Sequence, residues 1–155
     1  MKIILLTLLF LSPFSIQADM KILCITHADF ETPGVIQDWA TQKNFDFKIV
    51  KPYNGENCLQ EKNFDFLIIM GGPQSACNLV QDPYLYDEVK LIKQAIEENK
   101  IVLGFCLGAQ LIGSALDAPA SRSPEKEVGV FPVTLTDAAA KDPILKDFKN
   151  AQLVC

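Results

Sequence analysis

One cysteine, Cys106, is placed where a protein could hold a nucleophile at a sharp turn. It ends an apolar run in the stretch GFCLGAQ (104–110), with Gly104 two residues before it and Gly108 two residues after it. A strand that turns sharply into a helix needs small residues, because the backbone comes close to its neighbours there. The free N–H groups and the dipole at a helix start favour the thiolate. The pattern predicts a nucleophile elbow in which the N–H of Leu107 stabilises an oxyanion.

A glycine loop, MGGPQS (70–75), follows another apolar run. Open α/β sheets bind ligands at the carboxyl ends of their strands, and two glycines leave backbone N–H groups uncovered there. Glycine and proline mark many strand ends, so the loop alone is a weak signal. Beside an elbow on a neighbouring strand, Gly71 or Gly72 is the expected second oxyanion donor.

A cysteine nucleophile needs a base, and His27 is the only histidine in the sequence. It falls at the carboxyl end of the first predicted strand, on the same sheet edge as Cys106. Two interpretations stay open, since His27 could replace the base or could support a wall of the pocket. Loss of a base costs such an enzyme several orders of magnitude in rate.

Short apolar runs alternate with longer amphipathic ones, which is typical of a parallel sheet covered by helices. The sequence predicts strands at 21–26, 45–50, 64–70 and 101–105, and helices at 33–43, 83–99 and from about 107.

Two helix starts carry local signals. Thr32 precedes Pro33 and Asp82 precedes Pro83, so we expect the polar residue to cap each helix and the proline to occupy its first turn. In the second helix, apolar residues recur at spacings of four, three and four, which predicts one buried stripe. Its members are Leu85, Val89, Ile92 and Ile96.

The alternation stops after Pro119. Residues 127–136 predict one or two strands interrupted at Pro132, 142–148 predict a short helix, and 151–155 look like a strand that is beginning. Because a strand needs neighbours and a following turn, we expect the C-terminus to be truncated.

Composition bounds the remaining possibilities. The 155 residues are 49% hydrophobic and 21% charged with a net charge of −5, as in one globular domain, and the lysines form no basic patch, which argues against nucleic acid as a partner. Five cysteines without a CxxC pair indicate neither a zinc site nor a disulfide framework. Cys24 is expected in the core. No metal or cofactor is indicated.

The first residues predict a leader. Residues 1–18 carry a basic start, a short apolar stretch, Pro13 and a final Ala18, as in a secretory signal peptide. Cleavage there predicts a periplasmic or secreted protein with no membrane association. Alternatively, Met20 is the true start and the protein is cytoplasmic.

From Met20 onward the chain resembles the class I, triad-type glutamine amidotransferases, especially free-standing ones similar to the amidotransferase domain of GMP synthase. The motifs that carry the resemblance are HADFETPG (27–34), GGPQS (71–75), GFCLGAQ (104–110) and KEVGVFPVTLT (126–136). The resemblance implies a three-layer, flavodoxin-like α/β fold over residues 20–155, a mostly parallel sheet with helices on both faces, with its C-terminal part missing.

The resemblance also implies a reaction and a site. Cys106 would attack the side-chain amide of glutamine, release ammonia and form a glutamyl thioester that water hydrolyses. Gly72 and Leu107 would hold the oxyanion, and an ammonia-accepting synthetase is a possible partner. Substrate would be bound by Gly71, Pro73, Gly108, Gln110, Glu127 and Gly129.

Two departures from the family pattern limit this prediction. Family members carry their base in a His-x-Glu motif on a later strand, and no histidine follows His27 here; Asp117 stands where relatives usually have glycine. An impaired glutaminase is therefore one hypothesis. A γ-glutamyl peptide hydrolase, a non-catalytic glutamine-binding protein and a chain without a stable fold are the alternatives.

Overall fold

The computed structural model describes residues 20–125, 129–148 and 153–154. The predicted leader and Glu127 lie outside these ranges. The chain divides into two compact units, Met1–Ser121 and Arg122–Cys155. Among the described residues, none of the helices has both the length and the apolar character needed to cross a bilayer.

The first unit contains four strands and three α-helices in alternation. In chain order they are β1 (Lys21–Ile25), α1 (Val35–Gln42), β2 (Asp46–Val50), β3 (Phe66–Ile69), α2 (Tyr84–Glu97), β4 (Ile101–Gly104) and α3 (Leu107–Ala115). Two short 3₁₀ helices, Pro52–Asn54 and Cys58–Gln60, lie between β2 and β3. Every predicted strand and helix of this unit is present.

The four strands form one parallel sheet in the order β2-β1-β3-β4. Ile25 of β1 pairs with Val50 of β2 and with Ile69 of β3, and Ile69 pairs with Gly104 of β4. The carboxyl ends of all four strands therefore meet at one edge. The segments that follow β1, β3 and β4 carry His27, the glycine loop and Cys106, so the topology gathers these features.

Both faces of the sheet are covered, because alternate strand residues point to opposite sides. On one face, Leu23, Ile25 and Ile69 pack in a core with residues of α2 and α3 such as Leu91 and Leu111. On the other face, a smaller core forms around α1; its buried members are Ile22, Cys24, Ala40 and Ile68. The expected α/β fold with helices on both faces is confirmed, as is the core position of Cys24.

The predicted helix caps are wrong in both cases. α1 begins at Val35 after Gly34, whose φ of 51° and ψ of −129° break the helical path, and no side chain caps it. The amide of Ile36 donates instead to the carbonyl of Pro33 at 3.1 Å. At α2, Asp82 accepts from the Leu85 amide at 2.9 Å through its backbone carbonyl rather than its side chain. Backbone turns thus satisfy the free N–H groups that we assigned to side-chain caps.

The buried face of α2 is rotated slightly from the predicted stripe. Leu85 and Ile92 are buried as expected, whereas Val89 and Ile96 lie at the border of the core. The fully buried positions also include Leu91, Ala95 and the charged residue Glu88.

The second unit has little regular structure among its described residues. β5 (Pro132–Val133) pairs antiparallel with β6 (Leu153–Val154), so both predicted strand regions contribute a short strand. The helix expected at 142–148 is a 3₁₀ helix at Leu145–Phe148, and another 3₁₀ helix lies at Ala139–Lys141.

Candidate active site

Cys106 occupies a strained turn between β4 and α3. Its φ of 50° and ψ of −107° lie in a region that L-residues seldom adopt, and such a residue costs roughly 1–3 kcal/mol. The helix begins at the next residue, Leu107, and the cysteine is exposed. Strand, strained turn and helix start together form the predicted nucleophile elbow.

The two glycines of the elbow are there for packing. A Cβ at Gly108 would lie 2.2 Å from the carbonyl oxygen of Ile69, and a Cβ at Gly104 would lie 2.5 Å from the carbonyl carbon of Gly108. Neither position has room for a side chain, since the obstructing atoms belong to the backbone. The elbow is thus held tightly against the end of β3, where the glycine loop begins.

The glycine loop passes beside the nucleophile. A Cβ placed on Gly71 would lie only 3.5 Å from the Cβ of Cys106. Leu107 is the first residue of α3, so its N–H has no intrahelical acceptor. Within the described residues, neither the Leu107 nor the Gly72 N–H donates to a backbone carbonyl. These are the two donors expected to hold an oxyanion, and both remain available.

His27 holds the glycine loop from below. Its side chain is 1% exposed, and its Nδ1 donates to the carbonyl oxygen of Gly71 at 2.9 Å. Its Nε2 lies 2.8 Å from Oε2 of Glu88, and its backbone carbonyl accepts from the Gln74 amide at 2.9 Å. A Cβ on Gly72 would lie 2.5 Å from the Cβ of His27. Both ring nitrogens are engaged, so the structure favours the supporting role over the role of base.

The His27–Glu88 pair shares a proton in a buried setting. Burial by itself lowers the pKa of His27, but the hydrogen bond and charge of Glu88 outweigh burial and leave that pKa above its ordinary value. Burial raises the pKa of Glu88, and the hydrogen bond with His27 opposes this only in part. Oε1 of Glu88 has no protein partner within the described residues. The folded chain therefore holds the shared proton tightly.

Another carboxylate, Glu31, lies beside Cys106. Its Oε2 is 2.8 Å from the point where a Cβ on Gly71 would be, the same point that the Cβ of Cys106 approaches to 3.5 Å. The preceding residues are fixed by Asp29, which accepts hydrogen bonds from Tyr53 at 2.7 Å and Lys51 at 3.2 Å. The β1–α1 loop thus brings a carboxylate to the nucleophile.

Sequence reasoning assigned no role to Glu31 or Glu88. Glu88 has a detectable signal, because it falls three residues after Leu85 and four before Ile92, on the apolar face of α2. A charged residue at such a position requires a partner. Glu31 lies within the motif HADFETPG, but only the folded loop shows that it reaches Cys106.

The cysteines differ in accessibility. Burial raises the pKa of both Cys24 and Cys58 to about 12, so these thiols are inert near neutral pH. Cys77 and Cys106 are exposed, and all four are free thiols. Cys77 therefore provides an internal reference for the reactivity of Cys106.

The other predicted binding residues are placed less informatively. Pro73 is exposed beside the glycine loop, and Gln110 is exposed one turn after Cys106, to whose carbonyl its N–H donates at 3.2 Å. Glu127 is outside the described residues, and Gly129 belongs to the second unit. Across residues 20–125, 129–148 and 153–154, no group of three or more His, Cys, Asp or Glu residues could hold a metal ion.

Comparison with known proteins identifies relatives of the same type. The family model for glutamine amidotransferase class-I matches residues 35–152. The glutamine amidotransferase-like protein YfeJ of Salmonella typhimurium is 37% identical over 133 residues, which cover 83% of this chain and 56% of YfeJ.

Solved structures agree with this similarity. The crystal structure of SMU.1228c superposes with a TM-score of 0.77 at 41% identity, covering 87% of this chain and 59% of that one. A glutamine amidotransferase from Thermotoga maritima superposes with a TM-score of 0.67 at 25% identity, covering 81% and 56%. The chain thus spans little more than half the length of these relatives. It belongs to the class I glutamine amidotransferase family.

Proposed function

We propose that Cys106 is the nucleophile of a glutaminase reaction on the side-chain amide of glutamine. The observation that carries this proposal is the strained, exposed cysteine with two free backbone N–H groups beside it, those of Gly72 and Leu107. Backbone strain at a non-glycine residue persists where the fold imposes it, and it clusters at functional sites.

The proposed reaction has two steps. The sulfur of Cys106 bonds to the amide carbon of glutamine, and the negative charge that develops on the amide oxygen is stabilised by the two N–H donors. The C–N bond then breaks, and the nitrogen leaves as ammonia after gaining a proton. Water attacks the resulting thioester, the C–S bond breaks, and glutamate and the thiol are released.

Proton transfer is the weak point of this reaction in the present sequence. His27 is the only histidine, and its ring nitrogens are engaged with Gly71 and Glu88. A thiolate without a shuttle for the leaving amine loses several orders of magnitude in rate. We therefore propose that the 155-residue chain is an impaired glutaminase. The buried histidine also favours a second candidate, a protein that binds glutamine without turning it over.

Ammonia release and calorimetry test these candidates together. The chain is incubated with L-glutamine or a γ-glutamyl peptide, and free ammonia or amine is measured against Cys106→Ser and Cys77→Ser variants. Slow release from glutamine that only Cys106→Ser abolishes supports the glutaminase. Binding heat without release supports the binding protein. Preferred release from the peptide indicates a γ-glutamyl hydrolase, and unchanged release in Cys106→Ser shows that the site is wrong.

The partner and the compartment remain predictions. An ammonia-accepting synthetase is expected from the family resemblance, and its presence can be tested by co-purification with the full chain. Export directed by residues 1–18 is tested by determining the N-terminal residue of the mature protein in each cell fraction. A protein that begins at residue 19 supports cleavage, whereas one that begins at Met1 or Met20 contradicts it.

A further inference from the structure

A carboxylate beside a cysteine nucleophile needs a reason. Glu31 is only half buried, and its Oε2 and the Cβ of Cys106 lie 2.8 and 3.5 Å from one common point at Gly71. A negative charge there repels the thiolate that the reaction requires. Among the described residues, the Glu31 carboxylate forms no ion pair that would neutralise it.

The rest of the β1–α1 loop does have its charges matched. Asp29, two residues before Glu31, pairs with Lys51 and accepts from Tyr53, and these hydrogen bonds hold the pKa of Asp29 below its ordinary value. Glu31 instead points toward the elbow. Its unmatched charge, close to the reacting sulfur, is suited to a cationic group that arrives with the substrate.

We propose that Glu31 binds the α-ammonium group of the substrate and so selects free glutamine or an N-terminal γ-glutamyl group. This inference rests on the proposed function of Cys106. The amide carbon and the α-nitrogen of glutamine are separated by four bonds, about 5 Å when extended. A substrate whose amide carbon contacts the sulfur can therefore bring its ammonium group to Glu31. The bound cation also removes the repulsion between the carboxylate and the thiolate.

Alkylation of Cys106 by two reagents tests the inference without requiring turnover. One reagent is the diazoketone analogue of L-glutamine, which carries the α-ammonium group, and the other is iodoacetamide, which lacks it. Modification is measured by peptide mass spectrometry, with Cys77 as internal reference. In Glu31→Gln, we expect the diazoketone reaction at Cys106 to slow by about tenfold or more, as for loss of one charged hydrogen bond. The iodoacetamide reaction should be unchanged or faster.

Two control variants separate recognition from loop structure. Glu31→Asp keeps the charge and should recover part of the diazoketone rate, whereas Asp29→Asn alters the same loop and should leave the ratio of the two rates unchanged. Equal slowing of both reagents in Glu31→Gln, or selective diazoketone labelling that persists in it, would overturn the inference alone. If wild-type Cys106 reacts with iodoacetamide but not with the diazoketone, the proposed function fails as well.

Discussion

The buried His27–Glu88 pair should dominate the stability of the first unit. The two side chains are 0% exposed, and their atoms are 2.8 Å apart. Replacing His27 by leucine leaves Glu88 in the core without a partner. Breaking a buried pair in this way costs about 3–5 kcal/mol, with no discount for solvent screening because water does not reach the site. That is a large fraction of the 5–15 kcal/mol by which a typical domain is stable.

The matched control is an exposed pair of similar length. Nζ of Lys48 lies 2.7 Å from Oε2 of Glu61, with exposed fractions of 59% and 25% for the two side chains. Lys48→Met should therefore cost only about 0–1 kcal/mol. Urea unfolding followed by the fluorescence of Trp39, the only tryptophan, measures both variants in the same unit. Similar losses for His27→Leu and Lys48→Met would refute the argument from burial.

The same pair sets a pH dependence. The pKa values of both His27 and Glu88 are raised on folding, so the folded state binds protons more tightly than the unfolded state. The free energy of unfolding should fall with rising pH, from 4.5 for Glu88 and from 6.5 for His27, by about 1.4 kcal/mol per pH unit for each proton retained. The double variant His27→Leu/Glu88→Leu removes both groups and should lose this slope. An unfolding free energy that rises from pH 6 to 9 in wild type contradicts the assignment.

Three further outcomes follow from the elbow and the core. Gly108→Ala should destabilise the chain by several kcal/mol in urea unfolding, because the new Cβ would lie 2.2 Å from the Ile69 carbonyl oxygen; a neutral result would show that the helix can shift. Cys106→Gly should stabilise it by about 1 kcal/mol, since glycine relieves the strain at φ 50°, and destabilisation would contradict that strain. Cys24 and Cys58, with pKa values of about 12, should resist iodoacetamide at pH 8 until urea unfolds the chain, as peptide mass spectrometry can show.

The strands could be predicted because a parallel sheet buried on both faces leaves near-continuous apolar runs in the sequence. β1 and β2 lie within the expected ranges, and β4 ends at Gly104, one residue before the predicted end. The elbow was likewise predictable, since the close packing of its backbone restricts Gly104 and Gly108 to glycine.

The caps and the supporting carboxylates were not predictable for a different reason. Thr32 and Asp82 have good side chains for capping, but local backbone turns around Pro33 and Pro83 satisfy the helix starts first. The partner of His27 lies 61 residues away on α2, and only the packing of that helix on the sheet brings Glu88 to it. Local sequence carries no information about such a tertiary pairing.

The most direct test of the proposed chemistry is to trap the glutamyl thioester on Cys106. The chain is incubated with L-glutamine and quenched in acid, and the peptide that contains residues 104–110 is examined by mass spectrometry. Our account predicts a glutamyl group on Cys106, none on Cys77, and none in the Cys106→Ser variant. Ammonia release without any adduct on Cys106, or an adduct on another residue, would contradict it.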